Sequence, residues 1–182
     1  MEVKQTGIKD LIEIQPKLFG DERGYFVESF KKNIFDSILP GVEFVQDNQS
    51  YSDKNVLRGL HFQKEPYAQG KLVRAVTGRV LDVVVDLRPD SATFGNVKKF
   101  LLESKLQNMV YVPEGFAHGF LTLEPSIFVY KVTNYYDKES ESGIIWNDEE
   151  LNVDWGVKKP IVSEKDHTLH TFKYIKDSLV NA

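Results

Sequence analysis

Residues 71–91, KLVRAVTGRVLDVVVDLRPDS, decide what kind of fold this chain can adopt. Leu81, Val83, Val85 and Leu87 alternate with Asp82, Val84, Asp86 and Arg88. That period of two belongs to an extended strand, and one of its faces is wholly apolar. Thr77-Gly78 reads as a hairpin turn back to an earlier strand, and Arg88-Pro89-Asp90 as a stop. Runs of the same kind recur at LIEIQPKLF (11–19), VEFVQDNQSYS (42–52), VLRGLHFQ (56–63), KFLLES (99–104), MVYVP (109–113), HGFLTLE (118–124) and IFVYKVTNYY (127–136). Helical periodicity is fair only over 27–39, VESFKKNIFDSIL, and weaker over 171–182. Many short strands with a few short helices predict an all-β sandwich or barrel, with a jelly-roll β-barrel the leading form.

The chain has 182 residues, 41% hydrophobic and 12% aromatic, enough for one domain with a sizeable core. No repeat, low-complexity tract or linker divides it, so 1–182 is read as a single domain. Formal net charge is −4 and the Lys and Arg residues are scattered, which argues against a nucleic-acid partner. With no cysteine, disulfides, thiolate nucleophiles and thiolate metal ligands are excluded. The N-terminal residues carry charges every few positions, unlike a signal peptide, and no apolar run is long enough for a spanning helix. A cytoplasmic protein with no membrane partner is expected.

The chemistry gathers on the strands. Arg58, His61, Lys71, Asp82 and His118 fall on neighbouring predicted strands. A barrel that buries so many ionisable groups is most simply explained by an anionic substrate inside it. Strict alternation would send Arg58 and His61 to opposite faces, so Gly59 between them is predicted to host a β-bulge that re-aims one side chain. A lone strand histidine is more often a hydrogen-bonded structural residue than a catalyst, and a strand tyrosine such as Tyr130 more often plain packing.

VPEGFAH (112–118) resembles the second half-motif of the cupins, with Pro113 and Gly115 delivering His118 to the next strand. The first cupin half-motif is incomplete, since His61 is followed by Phe62 and Gln63. Two histidines without further ligands make a poor divalent site, so no metal is expected.

Together these runs resemble the dTDP-4-dehydrorhamnose 3,5-epimerase family, cupin-like enzymes of nucleotide-sugar metabolism. The matching stretches are DERGYFVESF (21–30), FVQDNQSYS (44–52), VLRGLHFQ (56–63), QGKLVRAVTGRVLDVVVDLR (69–88), YVPEGFAHGF (111–120), YKVTNYYDKESESGIIWND (130–148) and VSEKD (162–166), in family order. The resemblance implies an isomerase acting on a thymidine diphosphate 4-keto-6-deoxy sugar. Its C3 and C5 hydrogens are α to a ketone and can leave as protons, giving an enolate. It implies His61 as base, Asp166 as the carboxylate that orients it, Lys71 as the cation beside the C4 oxygen, and Tyr130 as the acid on the opposite face. It further implies that Arg23 and Arg58 hold the diphosphate, that Glu28 and Gln46, Asp47 and Asn48 contact base and ribose, that Phe26 stacks on thymine, and that His118, Glu141 and Lys165 touch substrate.

No cofactor is implied, because the substrate's ketone stabilises the carbanion. A homodimer is implied, with an N-terminal strand added to the partner's sheet. Where many relatives carry Glu-Arg-Gly, this chain has Glu141-Ser142-Gly143, one positive charge fewer. His167 and His170 are read as surface residues. Three rivals stand beside this reading: a single-centre epimerase, a non-catalytic sugar-nucleotide-binding cupin, and a metal-dependent cupin oxygenase.

Overall fold

The protein is seen here as a computed structural model describing residues 1–180. Strands β1 (Glu2–Gln5), β2 (Ile12–Gln15), β3 (Leu18–Asp21), β4 (Gly24–Val27), β5 (Gln46–Ser52), β6 (Val56–Gln63) and β7 (Lys71–Ala75) precede β8 (Arg79–Asp86), β9 (Val97–Glu103), β10 (Met109–Val112), β11 (Phe116–Thr122), β12 (Ser126–Val132), β13 (Glu141–Gly143) and β14 (Ile161–Val162). The helices are α1 (Lys32–Ile38), α2 (Glu164–His167) and α3 (Phe172–Val180). The end of the helix expected over 171–182 lies outside the described residues. The helix expected over 27–39 starts later, because Val27 is spent pairing with Leu18 in the β3–β4 hairpin.

One six-stranded sheet has the order β1-β2-β10-β7-β12-β5, and the other β13-β6-β11-β8-β9 with β14 beside β6. They pack face to face as a jelly roll. The sheets remain two separate ladders and do not close into one barrel, and the jelly-roll form expected from the sequence fits them. Thr77-Gly78 is not a hairpin turn, because β7 and β8 lie in different sheets. The corner spends its donors elsewhere: Val76 N–H bonds to Ile127 O at 2.8 Å. Gly78, at φ +71, is pressed against the Pro125 carbonyl and the Ser126 side chain, leaving no room for a Cβ.

Three apolar layers follow. Val73, Ala75, Val110 and Phe128 of the first sheet meet Val80, Val84, Phe100 and Phe120 of the second between the sheets. The apolar face of β8 read from the sequence points outward, where Val83 and Val85 pack with Leu57, Leu60, Trp155 and Ile175 under the C-terminal segment. On the far side α1 lays Phe35 against Ile14, Leu72 and Met109. β8 is thus covered on both faces, which explains its unbroken valines. Asp82 and Asp86, both without exposed surface, are its polar exceptions.

Segment 11–19 divides at Pro16. β2 pairs on both sides within the chain, with β1 and β10. Among the described residues the β3–β4 hairpin pairs with no other strand, and it leaves Phe19, Tyr25 and Phe26 exposed. Among the described residues, no helix is long and apolar enough to cross a membrane.

Candidate active site

The site begins at a bulge. His118 of β11 faces His61 of β6, and Phe120 faces Arg58, so two β6 residues, Gly59 and Leu60, stand against Gly119 alone. The extra residue reverses strand parity. Leu57, Leu60 and Phe62 turn outward to the apolar layer under the C-terminal segment, while Arg58 and His61 turn together into a cavity. Gly59 makes this possible: its φ is +110, and a Cβ there would lie 2.6 Å from Gly119 Cα and 2.7 Å from His118 O. The bulge expected from the sequence is present.

The cavity holds about 720 Å³. From the second sheet it is lined by Arg58, His61 and His118, and from the first by Gln46, Asn48, Ser50, Lys71 and Tyr130. Glu141, Lys165 and Asp166 close one side.

His61 Nε2 donates to Asp166 Oδ1 at 2.7 Å, and Gly59 N–H donates to Oδ2 at 3.1 Å. A carboxylate accepts only, so the hydrogen sits on Nε2 and Nδ1 is left as the basic nitrogen. Asp166 is not the cap of its helix: Ser163 Oγ caps it, accepting from Asp166 N–H at 3.1 Å. Burial works to raise the Asp166 carboxyl. The bond and charge of His61, the Gly59 N–H and the charge of Lys165 outweigh it and hold the group below the usual carboxylate range.

Lys71 lines the cavity ringed by protein. Burial pushes its ammonium down to about 8, against the charges of Asp82 and Glu141, which pull it up. Burial likewise raises the Tyr130 phenol, with Arg58 working the other way, so Tyr130 keeps its proton at neutral pH. Arg58 spends donors on Ser52 Oγ at 3.1 Å and Tyr51 O at 3.4 Å, leaving others for an anion. Lys165 Nζ donates to both Glu141 oxygens at 2.6 Å. His118 Nε2 sits 2.7 Å from Asp82 Oδ2.

Four expected residues do not join this cavity in the chain itself. Asp47 alternates onto the opposite face of β5, where it pairs with Lys131 at 2.7 Å. Arg23 and Phe26 lie on the exposed β3–β4 hairpin, Arg23 paired with Asp21. Glu28 follows that hairpin and is paired with Lys31 at 2.9 Å. His167 and His170 are exposed, as expected, His170 stacked on Tyr174.

Ser50 and Tyr136 are polar lining residues that were not singled out from the sequence. Ser50 has a buried hydroxyl without a partner among the described residues, and continuing the period of two from Gln46 and Asn48 would have found it. Tyr136 stands exposed at the cavity, donating its hydroxyl to Glu141 at 2.8 Å. Its signal was an aromatic pair in a polar loop. Among the described residues, no three His, Asp or Glu come together as metal ligands.

A family model described as dTDP-4-dehydrorhamnose 3,5-epimerase matches residues 5–174. The chain belongs to that family. The dTDP-4-dehydrorhamnose 3,5-epimerase of Shigella flexneri is 51% identical over 168 residues, 91% of this chain and 93% of that protein. Among solved structures, the Bacillus anthracis dTDP-4-dehydrorhamnose 3,5-epimerase with TDP and PPi bound superposes at a TM-score of 0.91, with 45% identity over 94% of this chain and 99% of that one. The Legionella pneumophila epimerase in complex with dTDP-4-keto-L-rhamnose gives 0.92 and 41%, over 98% and 96%. This epimerase fold accounts for the jelly roll, and its bulge brings a dyad histidine and an arginine onto one wall.

Proposed function

We propose that this chain inverts C3 and C5 of dTDP-4-dehydro-6-deoxy-D-glucose, giving dTDP-4-dehydro-L-rhamnose. One observation carries the reading: a base and a phenolic acid, His61 on one sheet and Tyr130 on the other, line the same cavity. Epimerisation needs that arrangement, a proton leaving one face of the sugar ring and another arriving on the opposite face.

In each inversion His61 Nδ1 takes the carbon-bound proton and the C–H electron pair moves into the ring as an enolate, with negative charge on the C4 oxygen. Asp166 stabilises the imidazolium that results. Lys71 lies where a preorganised cation can meet the oxygen anion, and such a donor contributes on the order of 100-fold in rate. Tyr130 returns a proton to the other face, the enolate electrons re-form the C–H bond, and no net oxidation occurs. Arg58 anchors the diphosphate, and Gln46 and Asn48 meet the nucleoside. The reaction calls for no cofactor, because the ketone itself takes up the charge.

Incubating the keto sugar with the protein in deuterated water is expected to place deuterium at both C3 and C5, followed by proton NMR. Label at one carbon alone would mark a single-centre epimerase. No label at either carbon would leave a sugar-nucleotide binder without catalysis.

Arg23, Phe26 and Glu28 gain a role in substrate binding if the protein is a homodimer. A two-stranded hairpin with exposed aromatics is marginal by itself and suited to docking on another surface. A partner's hairpin at the cavity mouth would bring a second guanidinium to the diphosphate. β2 already pairs on both sides, so the hairpin is a simpler contact than strand exchange. Light scattering is expected to report a dimer, and mixing Arg23→Ala chains with His61→Asn chains is expected to restore activity that neither has alone. A monomer at working concentration, or no restoration, would remove this part of the reading.

A further inference from the structure

Asp82 is a fully buried carboxylate, and the mechanism above gives it no direct role. It sits in the middle of β8 with no exposed surface, paired across the ladders with Phe100 and Phe120. One oxygen, Oδ2, accepts from His118 Nε2 at 2.7 Å. The other, Oδ1, is buried with no hydrogen-bond partner among the described residues. Such an oxygen costs roughly 1–3 kcal/mol, and an apolar residue of similar size would remove that cost. The neighbourhood explains why it stays. His118 stacks on Phe128 with ring centroids 6.3 Å apart and stands directly opposite His61 in the ladder. Two His–Asp pairs thus meet at one cavity, and only one of them holds the proposed base.

We propose that Asp82 is a positioning residue whose buried carboxylate is the shared counter-charge of Lys71 and His118, holding both in the arrangement that enolate formation uses. Accepting from Nε2–H fixes the His118 tautomer, so Nδ1 is left as an acceptor for a substrate hydroxyl. The same negative charge, ahead of Glu141, opposes the burial that would strip Lys71 of its proton. The other ionisable groups lining the cavity with Lys71 are His61, Arg58, His118, Tyr130, Tyr136, Lys165 and Asp166. Asp82 stands behind these groups on the core strand β8, with no exposed surface and its hydrogen bond given to His118.

The proposal rests on the epimerase reading, and one set of rate–pH profiles separates the two. Asp82→Asn keeps an oxygen for His118 and removes the charge. Its turnover is expected to fall about 100-fold. The basic limb of its profile is expected to move to lower pH by about one unit, the direction expected when a lysine loses its counter-charge. Lys71→Gln should abolish that limb, and adding Asp82→Asn to Lys71→Gln should cost little more, because the two act as one unit. If Asp82→Asn does not fold, Asp82→Ser carries the same measurement. An unmoved basic limb, penalties that simply multiply, or failure of both variants to fold would each reduce Asp82 to a structural residue and overturn the proposal. Absence of turnover and of deuterium uptake in the unaltered protein would instead overturn the epimerase reading.

Discussion

His61→Asn is expected to lower turnover by about 10,000-fold, the upper end of what a general base contributes, while dTDP still binds as tightly as before. The separation follows from where His61 sits. Its ring is held by Asp166 at 2.7 Å, on the wall of the cavity that also carries Arg58, whereas Gln46 and Asn48 line the opposite wall. Removing the imidazole therefore takes away the proton acceptor and leaves the diphosphate and nucleoside contacts standing. Asn has no nitrogen lone pair able to accept a proton at neutral pH, so water or a distant group would have to serve. Titration calorimetry with dTDP and the uptake of deuterium by the keto sugar in deuterated water read the two halves separately. Activity equal to that of the unaltered chain would remove His61 as the base, and loss of dTDP binding would show that the substitution had damaged the cavity instead.

How much of the molecule could be read from its sequence depends on whether a feature is local. The Arg58–His61 problem was legible because parity is a property of one strand, and a glycine between two polar residues at odd spacing is where a strand most readily admits an extra residue. The same parity argument places Asp47 outside the cavity and Ser50 inside it, although the resemblance alone had grouped Asp47 with its neighbours. Thr77-Gly78 was misleading for the opposite reason. A strand–turn–strand pattern is the same whether the second strand returns beside the first or crosses to another sheet, and the choice is made by Ile127 and Pro125, some 50 residues away. Asp166 lies 105 residues from His61, in a turn of helix where an aspartate would ordinarily be a cap. Only the family resemblance could connect them. Asp82 stood out as a charge in a valine strand, yet nothing local distinguishes a buried counter-ion from a solvated residue on the polar face.

Gly59→Ala is expected to lose both stability and most of its turnover, although it touches no substrate. Alanine at φ +110 is strained wherever it stands, and here its Cβ would lie 2.6 Å from Gly119 Cα and 2.7 Å from the His118 carbonyl. Both obstacles are backbone, so no side chain can swing aside. Gly119 is equally confined, with its own Cβ position 2.7 Å from Arg58 O, so the two strands cannot share the adjustment. Strain of this kind costs about 1–3 kcal/mol before the clash is added. The strand can relieve it only by opening the bulge, which would take the Gly59 N–H from Asp166 and turn Arg58 or His61 out of the cavity. A displacement of about 1 Å at a catalytic group can cost about 100-fold in rate, so the folded fraction should be both less stable to urea and nearly inactive. Gly156→Ala supplies the comparison: φ there is +73 with nothing within 4 Å, so it carries backbone strain without a collision and without a dyad to disturb. It should lose about 1 kcal/mol of stability and keep full turnover. Should Gly59→Ala match Gly156→Ala in both measurements, the bulge would not be what aims His61, and the parity of β6 would need another cause.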